Sequence, residues 1–434
     1  MKHYLAAASL LAAITSMASA QTTAVRAGRL VDGTGAAPRS NVIILIENDR
    51  ITAVGPDVRI PRDARVIDLS GMTVMPGFID AHTHVAGTVL GEPGWENELV
   101  RETPADAALR GAQHARETLE AGFTTIRNVG ARGYADVALR DAINAGRVPG
   151  PRMQVAAHAL GITGGHCDGS NGYVGDLFGE PIGIAQGIAD GPDAIRAAIR
   201  YQVKFGADVI KICATGGVLS EGDSVGVQQY ADEELRAVVD AAHMVERRVA
   251  AHAHGTVGIK AAVRAGVHSI EHGSMLDDEA ISLMIEHGTY LVPTLMAGEA
   301  VEALAQSGRL TGERAAKALA IAPIMRHSFR AAVAAGVKIA LGTDAGVMPH
   351  GRNGHEFTLM VELGGMTPMQ AIVAGTGNAA DLLGWSELVG SVQAGRFADI
   401  VAVHGDPLSD ITLLERVDFV MKGGAIVKQV RQRT

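Results

Sequence analysis

The sequence predicts an α/β chain, a (β/α)8 barrel joined to a small β-sandwich domain built from both chain termini. Three observations point there. The centre of the chain repeats short apolar runs, each followed by a stretch with helical spacing, and the runs number eight. The two ends instead alternate apolar and polar residues between Gly, Asp and Pro breakers. The length, 434 residues, suits one large barrel with a smaller appendage.

Residues 1–20 read as an export signal rather than part of the fold. Met1-Lys2-His3 is a short basic start, residues 5–14 are apolar, and Ala18-Ser19-Ala20 fits a small-residue cleavage site. This predicts an exported protein, periplasmic or secreted. No later run reaches the ~18 apolar residues of a membrane span, so no membrane association is expected beyond export.

Residues 21–76 form the first half of the predicted sandwich, through "VRAGRLVDGTG", "NVIILIENDRITAVGP" and "ARVIDLSGMTVMPG". Residues 387–434 form the second half, through "GSVQAGRFADIVAVHGDP" and "VDFVMKGGAIVKQV". Residues 77–386 hold the barrel. Its runs are 77–84, 124–129, 153–158, 208–213, 249–252, 269–272, 289–295 and 338–344. Amphipathic stretches such as "ADAALRGAQHARETLEAG" and "ADEELRAVVDAAHMVERR" lie between them. A doubly wound open sheet ranks lower, because no Gly-rich dinucleotide fingerprint follows the first run.

The net charge of -9 argues against a nucleic-acid binder, which would carry a basic face. Cys167 and Cys213 are the two cysteines of the chain. Two cysteines do not make a disulfide scaffold, and the expectation favours free thiols over a single bridge.

In a (β/α)8 barrel the reacting groups sit at the carboxyl ends of strands. Here those ends carry a consistent set. The first run ends in His82-Thr83-His84, and residues i and i+2 of a strand face the same way, so both imidazoles can reach one ion. The fourth carries Lys211, the fifth His252 followed by His254, the sixth His272, and the eighth ends in Asp344. Each alone has a structural explanation. A buried Lys is costly unless paired or modified. The joint pattern argues for a metal site.

These motifs, "MPGFIDAHTHV", "TTIRNVG", "VIKICATGG", "VAAHAHG", "SIEHG", "LGTDAG" and "GSVQAGRFADIVAV", resemble the metal-dependent amidohydrolase superfamily, and most of all its imidazolonepropionase-like branch. That branch includes prolidase-like dipeptidases, carboxypeptidases and ochratoxin-hydrolysing amidohydrolases. The resemblance covers nearly all of the chain after residue 20. It implies two divalent metal ions, with Zn2+ suited to imidazole and carboxylate ligands. His82, His84 and Asp344 would hold one ion and His252 and His272 the other. A carbamate on Lys211 would bridge them. His254 would face the substrate, although strand alternation points it the same way as His252. The sequence departs from the family pattern at Asn128, where an Asp is common; that position is read as supporting structure.

The resemblance also implies a mechanism. A metal-bridging hydroxide would attack the amide carbonyl, Asp344 would carry the proton to the leaving amine, and His254 would bind the developing oxyanion. The long Gly-rich segment after the third run suggests a binding loop. His166 within it, with Tyr230 and His350 after the fourth and eighth runs, are the candidate substrate-binding residues. Such donors suit a substrate with a free carboxylate: a dipeptide, an N-acyl amino acid or an ochratoxin-type amide, a small molecule or short peptide in each case. Two other functions compete with this one: a cyclic-amide or lactone hydrolase of the imidazolonepropionase kind, and an exported metal-binding protein without catalysis. The family also suggests a homo-oligomer.

Overall fold

The computed structural model describes residues 22–175, 177 and 182–430. The expected signal peptide, residues 1–20, lies outside the described residues.

The chain opens with four strands, β1 (Thr23–Leu30), β2 (Arg39–Glu47), β3 (Arg50–Gly55) and β4 (Arg65–Pro76). It closes with three more, β12 (Ile400–His404), β13 (Phe419–Lys422) and β14 (Ala425–Gln429). Both ends join one seven-stranded sheet in the order β14-β13-β12-β4-β1-β2-β3. All its pairs are antiparallel except β1 with β4. Alternation is clear in β2, where Val42, Ile44 and Ile46 are buried between more exposed neighbours. Those residues pack with Ile67, Ile400 and Phe419 into a core separate from the central one.

The central strands are β5 (Phe78–Thr83), β6 (Phe123–Asn128), β7 (Arg152–Val155), β8 (Val209–Cys213), β9 (Arg248–Ala253), β10 (Ser269–His272) and β11 (Tyr290–Val292). They form two parallel sheets, β5-β6-β7 and β11-β10-β9-β8. β5, β6 and β8 are buried along their whole length, as parallel strands covered on both faces should be. Main-chain contacts continue between the sheets. Leu160 bridges Ile212 beyond β7, and Leu291 of β11 bridges Ile339. The Ala81 N–H donates to the Leu341 carbonyl, and the Asp344 N–H to that of His82. The eighth expected run therefore lies between β11 and β5 without becoming a regular strand. Within it Thr343 donates to the buried Asp80 carboxylate, as does Asn353 beyond it.

Twelve helices surround these strands among the described residues. They are α1 (Glu98–Arg101), α2 (Pro104–Glu120), α3 (Ala135–Asn144), α4 (Pro192–Lys204), α5 (Asp232–Met244), α6 (Thr256–Ala265), α7 (Asp278–His287), α8 (Leu295–Gln306), α9 (Gly312–Ala335), α10 (His355–Glu362), α11 (Pro368–Ala374) and α12 (Gly377–Leu383). Local chemistry sets their ends. Thr103 and Asp106 form a capping box at α2, with Pro104 in its first turn. Asp277 caps α7, which stops at Gly288 with a φ of 66°. α5 buries Leu235, Val238, Val239 and Ala242, the spacing of a single helical face.

The amino ends of the strands are plugged by aromatic rings. Phe78 and Phe123 each begin a strand, and Phe357 of α10 lies 4.9 Å from Phe78, edge to face. Phe357→Ala would leave a cavity where no neighbour can collapse freely. We expect it to lower stability by about 3–5 kcal/mol, read from urea denaturation. An unchanged midpoint would show that the plug carries no load.

Candidate metal centre and active site

The carboxyl ends of the strands converge on a cavity of about 340 Å³. His82, His84, Lys211, His252, His254, His272 and Asp344 all line it, as does His166. Two groups of donors could each hold an ion, His82 with His84 and Asp344, and His252 with His254 and His272. Asp344 Oδ1 lies 3.4 Å from Nε2 of both His82 and His84. The two groups adjoin, with the His82 and His272 rings 5.1 Å apart.

The other nitrogen of most of these rings is anchored. His82 Nδ1 donates to Glu271 Oε2 at 2.7 Å, and His84 Nδ1 to the Gly130 carbonyl at 3.3 Å. Nδ1 of His254 meets the Ser274 hydroxyl, and that of His272 the Thr294 hydroxyl, each at 2.7 Å. This leaves Nε2 free to face inward, the arrangement that orients metal-binding imidazoles. His252 Nε2 is buried with no hydrogen-bond partner. A buried orphan of this kind is costly, and a metal ion would satisfy it. The donor set therefore fits divalent ions.

Backbone strain collects at the same place. His272, Thr294 and Asp344 all hold positive φ, at 71°, 50° and 61°. Each costs of order 1–3 kcal/mol and persists only where the surroundings enforce it.

Burial governs the electrostatics. It lowers the pKa of His84 to about 4 and of His254 to about 3, so both imidazoles are neutral and able to accept a metal. Burial also lowers the Lys211 amine to about 8, against the pull of Glu271 and Asp344. Burial alone would raise Asp344, but His82, His84 and His272 together hold it well below the ordinary carboxylate range.

One expectation needs correction. The cysteines are not free: Cys167 and Cys213 form a disulfide, with Cα atoms 5.8 Å apart across 46 residues of sequence. The chain after β7 pairs with β8 at Leu160 and Ile212, and this brings Cys167 back over the strand that carries Lys211. Tyr230 does not line the cavity. The 215–228 segment turns back on itself, and Tyr230 is buried at the foot of α5. His350 does not line it either; its ring stacks on His114 at 4.3 Å behind β5. His166 does reach the cavity. Its ring stacks on His252 at 4.2 Å, over Gly217, where a Cβ would collide with it. Its Nδ1 meets the Ser220 hydroxyl, which donates to Asp223.

Asn128 bonds the Val85 N–H, the Gly130 carbonyl and Asp136, all of them structural links. The sequence reading passed over Arg127 and Glu271, although both sit inside motifs it singled out. Arg127 is 1% exposed and Glu271 fully buried, and they pair at 2.8 Å. A charge inside an otherwise apolar strand, in "TTIRN" and "SIEH", was the available signal.

The amidohydrolase family model matches residues 73–427. The ochratoxinase of Aspergillus niger is 36% identical, over 96% of this chain and 88% of its own. The imidazolonepropionase of Geobacillus kaustophilus is 26% identical, over 89% and 90%. The crystal structure of a Xaa-Pro dipeptidase with bound methionine in the active site superposes with a TM-score of 0.89 at 42% identity, over 94% of this chain and 99% of that one.

Arg127→Met would strand the Glu271 carboxylate in the core. We expect a loss of roughly 3–5 kcal/mol, and partial recovery when Glu271→Gln is added. Additive losses in urea denaturation would mean that the two side chains do not act as a pair.

Proposed function

The chain belongs to the amidohydrolase family, hydrolases acting on amide bonds, and from that premise we propose that it is a two-metal enzyme cleaving the amide bond to a C-terminal amino acid. The observation that carries this reading is the buried, partnerless Nε2 of His252, set among four anchored imidazoles, Lys211 and Asp344 in one cavity. His82, His84 and Asp344 would hold one ion, and His252 and His272 the other. Lys211, with its amine lowered to about 8, would have enough neutral form to take up carbon dioxide as a carbamate, a further anionic ligand for the ions. Zn2+ is the ion proposed. Bound ions of this kind activate water at neutral pH and polarise a carbonyl.

The rest is the work of the side chains. Asp344, held anionic, accepts the proton of the attacking water and delivers it to the leaving nitrogen. With the Ser274 hydroxyl, 2.7 Å from His254 Nδ1, as donor to that nitrogen, His254 Nε2–H can donate to the developing oxyanion. His166, its Nδ1 bound to Ser220, presents its other nitrogen to the substrate.

The fold proposed around this site is the closed (β/α)8 barrel of residues 77–386, with residues 21–76 and 387–434 as a β-sandwich. The bridges at Leu160 and Ile339, and the hydrogen bonds from 341–345 to β5, support closure. Export through residues 1–20, to the periplasm or outside the cell, and assembly into a homo-oligomer are further proposals that rest on the sequence. No described helix is long and apolar enough to cross a membrane.

The test is release of free amino acid from dipeptides, N-acyl amino acids and ochratoxin A, with zinc and bicarbonate present. Chelation should abolish hydrolysis and zinc should restore it. Silence across the panel with two metals per chain would move the reading to cyclic amides or lactones. His254→Asn should keep two metals per chain by elemental analysis yet lose about 10²–10³ in kcat. His252→Asn should lose metal. A His254 variant that sheds metal would make His254 a ligand instead. Asp344→Asn should leave metals largely bound while cutting turnover strongly, and undiminished turnover would remove its role as proton carrier.

A further inference from the structure

Two sulfurs stand in the wall of the metal cavity. Cys167 and Cys213, joined as a disulfide, both line it. Cys167 also lines an adjoining cavity of about 630 Å³, which gives small reagents a route to the bond.

The neighbours of the two cysteines matter. Cys167 directly follows His166. Cys213 is the register partner of His252 where β8 pairs with β9. The bond therefore joins the residue after one imidazole to the strand neighbour of the other, and those two rings stack at 4.2 Å. The approach is close. A Cβ on Gly161 would sit 2.7 Å from Cys167 Cβ, so glycine is needed where the segment folds back beside β8.

The other ties of His166 run to a loop. Its N–H donates to Gln229, and its Nδ1 meets the Ser220 hydroxyl. Both partners lie between β8 and α5, outside regular structure. Asp168 accepts from the Gly164 and Ser170 N–H groups and so holds the turn together by itself. The disulfide instead runs from this turn to a regular strand.

We propose that the Cys167–Cys213 disulfide is a positioning element of the active site: it holds His166 against His252, and its reduction weakens substrate binding without removing metal. This rests on the role given to His166 above and adds a redox condition to it. A dithiol breaks the S–S bond, both cysteines become thiols, and the reagent closes to its own cyclic disulfide, two electrons and two protons passing to the protein. An enzyme so built reaches full activity in an oxidising compartment, in keeping with the export proposed above.

The test takes the zinc-loaded protein, reduces it with dithiothreitol, removes the reagent without air and assays it beside the oxidised form. On reduction kcat/KM should fall by about 10–100-fold, mainly through KM, and return on reoxidation, with metal per chain unchanged by elemental analysis. The double variant Cys167→Ser, Cys213→Ser should behave as the reduced protein and ignore the reductant. In His166→Ala, reduction should cause no further loss; a general loosening of the fold would lower both proteins alike. A second readout needs no substrate. Diethyl pyrocarbonate, followed by mass spectrometry, should label His166 faster after reduction, relative to the exposed His287. The proposal is overturned by a reduced enzyme that keeps its kcat/KM, by one that sheds metal, by an equal loss in His166→Ala, or by a His166 labelling rate that reduction leaves unmoved. A wild-type enzyme that hydrolyses no amide overturns the amide reading alone, and the labelling rates then decide the tether by themselves.

Discussion

One buried ion pair holds the catalytic end of this molecule together. Arg127, on β6, sends Nε to the Ala81 carbonyl on β5, one amino group to Ser269 on β10, and the other to Glu271. Glu271 passes the contact on to His82 Nδ1. Burial alone would raise the Glu271 carboxyl, but Arg127 and then His82 hold it down at about 2. Taking two charges into the core is expensive, and the cost is offset only because nearly every donor and acceptor has a partner. The result is a rigid cross-link between strands on opposite sides of the core. It orients the first imidazole of the candidate metal centre before any ion arrives.

Other parts of the mouth follow the same pattern, in which a polar group from one element fixes the end of another. Asp80 gathers the His82 and Thr343 N–H groups, the Thr343 hydroxyl and Asn353. That sets the position of the segment leading to Asp344. Glu356 of α10 accepts from the Leu295 and Met296 N–H groups, and so holds the first turn of α8, which carries the cavity-lining Ala297 and Gly298. The Cys167–Cys213 disulfide ties the segment carrying His166 to the strand carrying Lys211. These links let the backbone keep positive φ at His272, Thr294 and Asp344.

The electrostatic outcome suits metal chemistry. Desolvation dominates every imidazole shift in the cavity and keeps the rings neutral. Asp344 is the exception, because burial would raise it but His82, His84 and His272 around it hold it low. Neutral nitrogens beside a retained carboxylate form a site where positive charge is wanted and cheaply supplied by an ion.

By itself the sequence determined the alternation of strands and helices, the β character of both chain ends, and the residues at the strand ends. Those features are local: the period of two in a strand places His82 and His84 on one side, and short apolar runs mark the buried strands. Only the tertiary structure decided the rest. Arg127 reaches Glu271 across 144 residues and Glu271 reaches His82 across 189. The register between strands brings them together, and no local pattern encodes that register. For the same reason Cys167 and Cys213 meet although their spacing looks idle. Tyr230 and His350 follow strand ends and are buried outside the cavity lining, because loop geometry, not strand position, aims a side chain beyond the end of a strand. The cavity itself is likewise a property of separate segments packed together, visible only once the chain is folded.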